Sequence, residues 1–145
     1  MKPILIVVAP YYTDISRMLL EGACAAVTQA NYGFEVVNVP GALEIPAAIG
    51  LGIASGKFGG YVALGCVLRG ETTHYDTVCN ESARGLMELA ITKNAAIGNG
   101  ILTCETEEQA IVRADTHQGN KGGEAALAAL RLVAIAEQFG VTTDA

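Results

Sequence analysis

The residues best suited to chemistry stand close together: Arg69, Gly70, Glu71, Thr72, Thr73 and His74 follow directly on the apolar run Tyr61 to Leu68. Gly70 lets the backbone turn tightly or approach a ligand, the two threonines offer hydroxyls, and imidazole exchanges its proton near neutral pH. A single histidine after a strand is commonly an ordinary surface residue; its company is what marks His74. Tyr11 follows another apolar run, Glu44 stands just past the Pro40–Gly41 break, and Arg113 lies late in a polar segment. An aromatic face can stack on a flat ring, a carboxylate can accept hydroxyl protons, and a guanidinium fork can grip an anion. Glu44 equally suits the first turn of a helix, and Arg113 the last.

These groups need elements to hold them. Ile4 to Ala9, Phe34 to Val39, Tyr61 to Leu68 and Ile97 to Thr103 are apolar runs of strand length, the first stopped by Pro10 and the second by Pro40 and Gly41. Helical spacing follows each. Asp14 is placed to cap a helix carrying Ile15, Met18, Leu19, Ala23, Ala26, Val27 and Ala30 inward. Leu43 to Ser55 reads as a helix with Pro46 in its first turn, and Tyr75 to Thr92 as one with Val78, Cys79, Leu86, Leu89 and Ala90 inward and Glu88 on a solvated face. Thr106 and Gln109 form a capping-box pattern that starts a helix ending near Arg113; a last helix spans about Gly123 to Phe139, stopped by Gly140. Strand and helix alternate four times over residues 1–145, which predicts one doubly wound α/β domain with a parallel sheet and right-handed crossovers. In such a sheet ligands bind outside the carboxyl ends of the strands, where the Arg69–His74 segment falls.

Composition removes several function classes. A net charge of −6 argues against nucleic acid or an anionic membrane as partner, because an extended phosphate surface needs a basic face. No apolar run approaches a membrane span and no convincing cleavage site follows the first strand, so the expected location is the cytoplasm. The four cysteines, Cys24, Cys66, Cys79 and Cys104, show no C-x-x-C pair and no zinc-finger spacing, and are expected reduced and mostly in the core. Gly50, Gly52 and Gly56 imitate a dinucleotide fingerprint but lie inside a helical pattern, and Gly56-Lys57 lacks the remainder of a P-loop.

Three stretches, V-P-G-A-L-E-I-P from Val39, G-C-V-L-R-G-E-T-T-H-Y-D-T-V-C-N-E-S from Gly65 and G-N-K-G-G-E from Gly119, strongly resemble the lumazine synthase family, in the same order and at compatible spacing over nearly the whole chain. The resemblance implies a three-layer α/β/α fold with a four-stranded parallel sheet of flavodoxin-like order. It implies a transferase that condenses 5-amino-6-(D-ribitylamino)uracil with 3,4-dihydroxy-2-butanone 4-phosphate to 6,7-dimethyl-8-ribityllumazine, the step before riboflavin. The nucleophile there is the substrate's own amine, so neither metal, cofactor nor covalent enzyme intermediate is expected.

Carried over position by position, the resemblance makes His74 the proton shuttle and Tyr11 the aromatic that stacks on the pyrimidine. Gly41, Ala42, Leu43 and Glu44 match the segment that holds the ribityl chain, and Cys66, Val67 and Leu68 the strand end that reads the pyrimidine edge through its backbone. The phosphate falls to Arg113, helped by the loop at Glu71 and Thr72, with Lys121 in support. Asn99 departs from the family, since many relatives place an aromatic there over the substrate. The last helix is apolar nearly all round (Ala125, Leu127, Ala128, Leu130, Leu132, Val133, Ile135, Ala136) and so wants partners on two sides. That fits a homopentamer, with His74 of one subunit and Arg113 of its neighbour expected in one site. Shell-forming relatives usually carry an extra strand before the first, so a sixty-subunit shell is not expected. Two rivals on the same scaffold, a non-catalytic flavin- or lumazine-binding module and an assembly scaffold, would leave His74 and Arg113 dispensable.

Overall fold

The computed structural model describes residues 1–70 and 73–141. Among these, strands β1 (Ile4–Val8), β2 (Phe34–Asn38), β3 (Gly60–Leu68) and β4 (Ile97–Cys104) form one parallel sheet in the order β2-β1-β3-β4. Helices α1 (Thr13–Gln29), α2 (Ile45–Ser55), α3 (His74–Thr92), α4 (Glu107–Ala114) and α5 (Lys121–Phe139) cover its two faces. The expected three-layer, flavodoxin-like arrangement is the one found, and its strand order reverses between β1 and β3.

The two-residue period of the strands divides the core. Ile4, Ile6 and Val8 of β1 and Val62, Leu64 and Cys66 of β3 point with Leu102 and Cys104 toward α1, α4 and α5. Leu5, Val7, Tyr61, Ala63 and Ile101 point the other way, onto Ile45, Ile49 and Ile53 of α2 and Val78 and Leu86 of α3. Buried on both faces, β1 and most of β3 therefore read as unbroken apolar runs. β2 and β4 are the edge strands, and all five residues of β2 are exposed.

Local signals mostly act as their chemistry predicts. The Thr106 hydroxyl accepts the Gln109 N–H at 3.2 Å, while the Gln109 carboxamide reaches back to the Glu105 N–H at 2.9 Å, one residue earlier than in a standard capping box. Asp14 is not a cap: α1 begins at Thr13 behind Tyr12, whose side chain makes no capping bond, and Asp14 lies in the first turn, where a carboxylate still favours the helix dipole. The helix expected from Leu43 starts at Ile45 instead, after a short 3-10 turn over Ala42–Glu44, with Pro46 in its first turn where a missing N–H costs no bond. Gly56 ends α2 in a left-handed conformation (φ 69°), and a Cβ on Gly52 would fall 2.6 Å from Leu5, so that part of the false fingerprint serves helix ending and close packing.

The strands end at different levels, and that offset shapes the site. Val8, the last residue of β1, is in register with Leu64, so β3 continues four residues further, to Leu68 opposite Cys104. The Ala9 N–H donates to the Leu64 carbonyl at 2.9 Å, and the chain after it turns aside at Pro10. Tyr11 and Tyr12 consequently stand beside the projecting end of β3.

Candidate active site

A cavity of about 490 Å³ opens where the strand order reverses, beyond the carboxyl ends of β1, β2 and β3. Tyr11, Gly41, Ala42, Leu43, Glu44, Cys66, Val67, Leu68 and His74 all line it. They come from the end of β3, the segments that follow β1 and β2, and the start of α3.

Tyr11 is 75% exposed, and its ring meets that of Tyr12 edge-to-face, 4.9 Å between centroids at 78°. Tyr12 is half-buried against the core and lines the same cavity. Burial, then the neighbouring Cys66, pushes its phenol above the usual pKa, so it keeps its proton throughout the neutral range. An anchored ring thus steadies an exposed one, which leaves Tyr11 a face to offer.

The 3-10 turn after β2 is pinned by the buried Ala42 and by the Glu44 N–H donating to the Gly41 carbonyl at 3.1 Å. A Cβ at Gly41 would stand 3.2 Å from Glu44 Oε1, so glycine lets the carboxylate fold back over the backbone at the cavity wall. Opposite, burial pushes the Cys66 thiol up to about 12. A thiol that holds its proton so firmly is a packing group and not a nucleophile at neutral pH. His74 is the first residue of α3 and is exposed, so its imidazole reaches the cavity and solvent alike.

Arg113 and Lys121 lie elsewhere. They line a second cavity of about 370 Å³ with Ile101, Leu102, Thr103, Gly119 and Glu124, at the β4 side of the sheet. Arg113 is in the last turn of α4, where its Nη1 donates to the Gln109 carbonyl at 3.1 Å; Lys121 pairs with Glu124 at 3.1 Å. Among the described residues none lines both cavities. Asn99 is exposed on β4, and its Oδ1 accepts the Ile101 N–H at 2.9 Å, which turns the side chain back along its own strand. Glu71 and Thr72 lie outside the described residues.

Sequence reasoning missed Tyr12, Pro40, Tyr75 and Val78 as lining residues of the first cavity, while Gly70, singled out for close approach to a ligand, does line it. Tyr12 and Tyr75 had a usable signal, since each directly follows a residue singled out for chemistry. Val78 did not, because its helical spacing marks it as core whether or not a cavity abuts it.

The first cavity is apolar in most of its wall, with one imidazole, one carboxylate, three phenols and the free end of a strand as polar groups. Such a wall suits a flat heterocycle with a hydroxylated tail, and its chemistry is limited to alignment and proton movement. Among the described residues no group of three or more His, Cys, Asp or Glu is placed to hold a metal ion.

The family model for 6,7-dimethyl-8-ribityllumazine synthase matches residues 2–137. The chain is 55% identical over 141 residues to the 6,7-dimethyl-8-ribityllumazine synthase of Sphingopyxis alaskensis, covering 97% of this chain and 99% of that protein. It is 54% identical over 139 residues to the enzyme of that name from Novosphingobium aromaticivorans, covering 96% and 99%. With 6,7-dimethyl-8-ribityllumazine synthase 1 of Rhizobium meliloti the identity is 49% over 142 residues, covering 94% and 93%. A family match over nearly the whole chain, with relatives about half identical along almost their full length, establishes that the chain belongs to the 6,7-dimethyl-8-ribityllumazine synthase family.

Proposed function

We propose that the chain is a transferase that condenses 5-amino-6-(D-ribitylamino)uracil with 3,4-dihydroxy-2-butanone 4-phosphate, releasing phosphate and water and yielding 6,7-dimethyl-8-ribityllumazine, the penultimate step of riboflavin biosynthesis. The observation that carries this reading is the cavity at the β1/β3 reversal, where Tyr11, Glu44, His74 and the end of β3 converge in a chain of this family.

The roles are those the family resemblance implies, and the chemistry of each residue suits its own. Tyr11 stacks on the pyrimidine, the segment Gly41–Glu44 takes the ribityl chain with Glu44 accepting from its hydroxyls, and backbone groups of Cys66, Val67 and Leu68 read the ring edge. The substrate amine attacks the ketone; water leaves as the imine forms, phosphate leaves next, and ring closure expels a second water. His74 gives and takes the protons of these steps. Cys66 holds its proton up to about pH 12, which supports a path with no covalent enzyme intermediate.

The phosphate end belongs to Arg113, with Lys121 beside it and Glu71 and Thr72 completing the cradle. Since Arg113 lines a different cavity from His74, a complete site takes the two from neighbouring subunits of a homopentamer. The second apolar face of α5 supports that assembly: Leu127 is 59% exposed and Leu132 41%, while Ala125, Ala129 and Val133 are buried on the first face. Residues 1–145 then act as one unit, working in the cytoplasm; among the described residues no helix is long and apolar enough to cross a membrane. The test is to incubate the purified protein with the two substrates and follow lumazine absorbance, with phosphate release in parallel. Product and phosphate should appear together, and lumazine or flavin binding without turnover would replace the enzyme with a binding module.

A further inference from the structure

Arg69 lines neither cavity, yet its side chain is engaged by two carboxylates and an aromatic ring close to the first one. Its backbone N–H extends the β3–β4 ladder by donating to the Cys104 carbonyl at 3.0 Å. Its Nε lies 3.0 Å from Glu105 Oε2 and 3.1 Å from Oε1, just past the end of β4. Nη2 stands 3.6 Å from Asp76 Oδ1, and the guanidinium carbon lies 4.3 Å from the centre of the Tyr75 ring. Tyr75 is half-buried there, and burial, then the neighbouring Cys79, pushes its phenol above the usual pKa.

We propose that Arg69 is a positioning residue that clasps the first turn of α3 to the ends of β3 and β4, and so fixes where His74 stands. The geometry requires little more. Tyr75 and Asp76 directly follow His74, and consecutive side chains on a helix are about 100° apart. With Tyr75 held under the guanidinium, the ring of His74 is turned to the cavity that it lines. Glu105 takes Nε and Asp76 stands beside Nη2, so a phosphate held directly by Arg69 would compete with two carboxylates for one guanidinium. Exposed ion pairs of this kind contribute little to stability, but a displacement of about 1 Å at a reacting group can cost on the order of 10² in rate. The clasp therefore affects rate far more than folding.

The effect on rate rests on the reading of His74 above; the position of its ring does not. The experiment uses the assembled protein with histidine ring labels, and the chain has only His74 and His117 to assign. In Arg69→Met the His74 ring resonances should shift or broaden while those of His117 stay, kcat should fall about tenfold with KM changing less, and the melting temperature should move by only a few degrees. Arg69→Lys, which keeps the charge and loses the fork, should recover part of kcat. Glu105→Gln is the decisive second variant, because its exposed side chain is replaceable without harm to folding. It should lower kcat as Arg69→Met does, and the double variant should be no worse than Arg69→Met alone. An unmoved His74 ring in both variants overturns the proposal. So does a Glu105→Gln protein that binds the phosphate substrate more tightly, since Arg69 freed from its partner would then be a ligand. A moved ring with unchanged kcat upholds the clasp and instead removes His74 from the chemistry.

Discussion

If His74 and Arg113 serve one site from two subunits, two inactive proteins should repair each other. The variants are His74→Ala and Arg113→Ala, unfolded together in equal amounts and refolded into mixed rings. The expectation follows from the separation of the two residues: His74 lines the cavity at the β1/β3 reversal, Arg113 lines the one beside β4, and no described residue belongs to both. Each interface then pairs the His74 of one subunit with the Arg113 of the next. In a random ring an interface joins an intact His74 to an intact Arg113 with probability one half times one half, so about a quarter of sites recover. The residual rate of either variant alone is expected at roughly 1% of wild type if each removed group contributes about 10². A recovery near 25% therefore stands well clear of background. Steady-state lumazine formation is the assay, with subunit exchange established by mass labels on one variant. Activity no higher than the sum of the two variants, in rings proven to be mixed, would refute the shared site.

Three further outcomes test individual residues. His74→Ala should lower kcat by about 10² or less with KM nearly unchanged, because alignment supplies much of the acceleration, and an unaltered kcat would take the imidazole out of the reaction. Gly41→Ala brings a methyl to 3.2 Å from Glu44 Oε1 and should push the carboxylate aside, raising KM for the ribityl-bearing substrate by roughly 3- to 10-fold without lowering the melting temperature; an unchanged KM would separate Glu44 from ribityl binding. The Cys66 thiol, raised to about 12 by burial, holds its proton more tightly in the folded chain than in the unfolded one. Its contribution to stability is then complete below the unfolded pKa near 9 and is lost as the pH rises toward 12. Urea midpoints should accordingly fall more steeply over that range in the wild type than in Cys66→Ala, and parallel curves would contradict the shift.

The fold was legible because its signals are local and periodic. Ile4 to Ala9 and Tyr61 to Leu68 are apolar without interruption, since the strands they form are covered by helices on both faces, and Thr106 with Gln109 marks a helix start through bonds spanning only a few residues. What escaped depends on neighbours distant in sequence. The capping role expected of Asp14 fell to backbone geometry at Tyr12, which is set by how the chain leaves the β1 end. Tyr12 itself enters the cavity wall because β3 outruns β1 by four residues, an offset no spacing along the chain encodes. The motif residues were readable as a set, but their division between two cavities was not.

That division gives the exposed apolar surface a common explanation. Leu51 on α2 is 74% exposed, Met87 and Ile91 on α3 are 60% and 68% exposed, and Leu127 on α5 is 59% exposed, so apolar side chains face outward from both helical layers. The edge strand β2 adds Phe34, Val36 and Val37, each about 40% exposed beside a row of unpaired backbone groups. Isolated exposed leucines need no account, but one strand and three helices in this state fit the surfaces that the proposed ring would cover. A ring of identical chains covers such surfaces in pairs, because each subunit presents two different faces to its two neighbours. The same contact can bring the carboxyl ends of one sheet against the β4 side of the next, and so join a cavity that holds an imidazole to one that holds an arginine. On that reading assembly and catalysis share one surface: the covering that stabilises the ring is also what completes the phosphate end of the site.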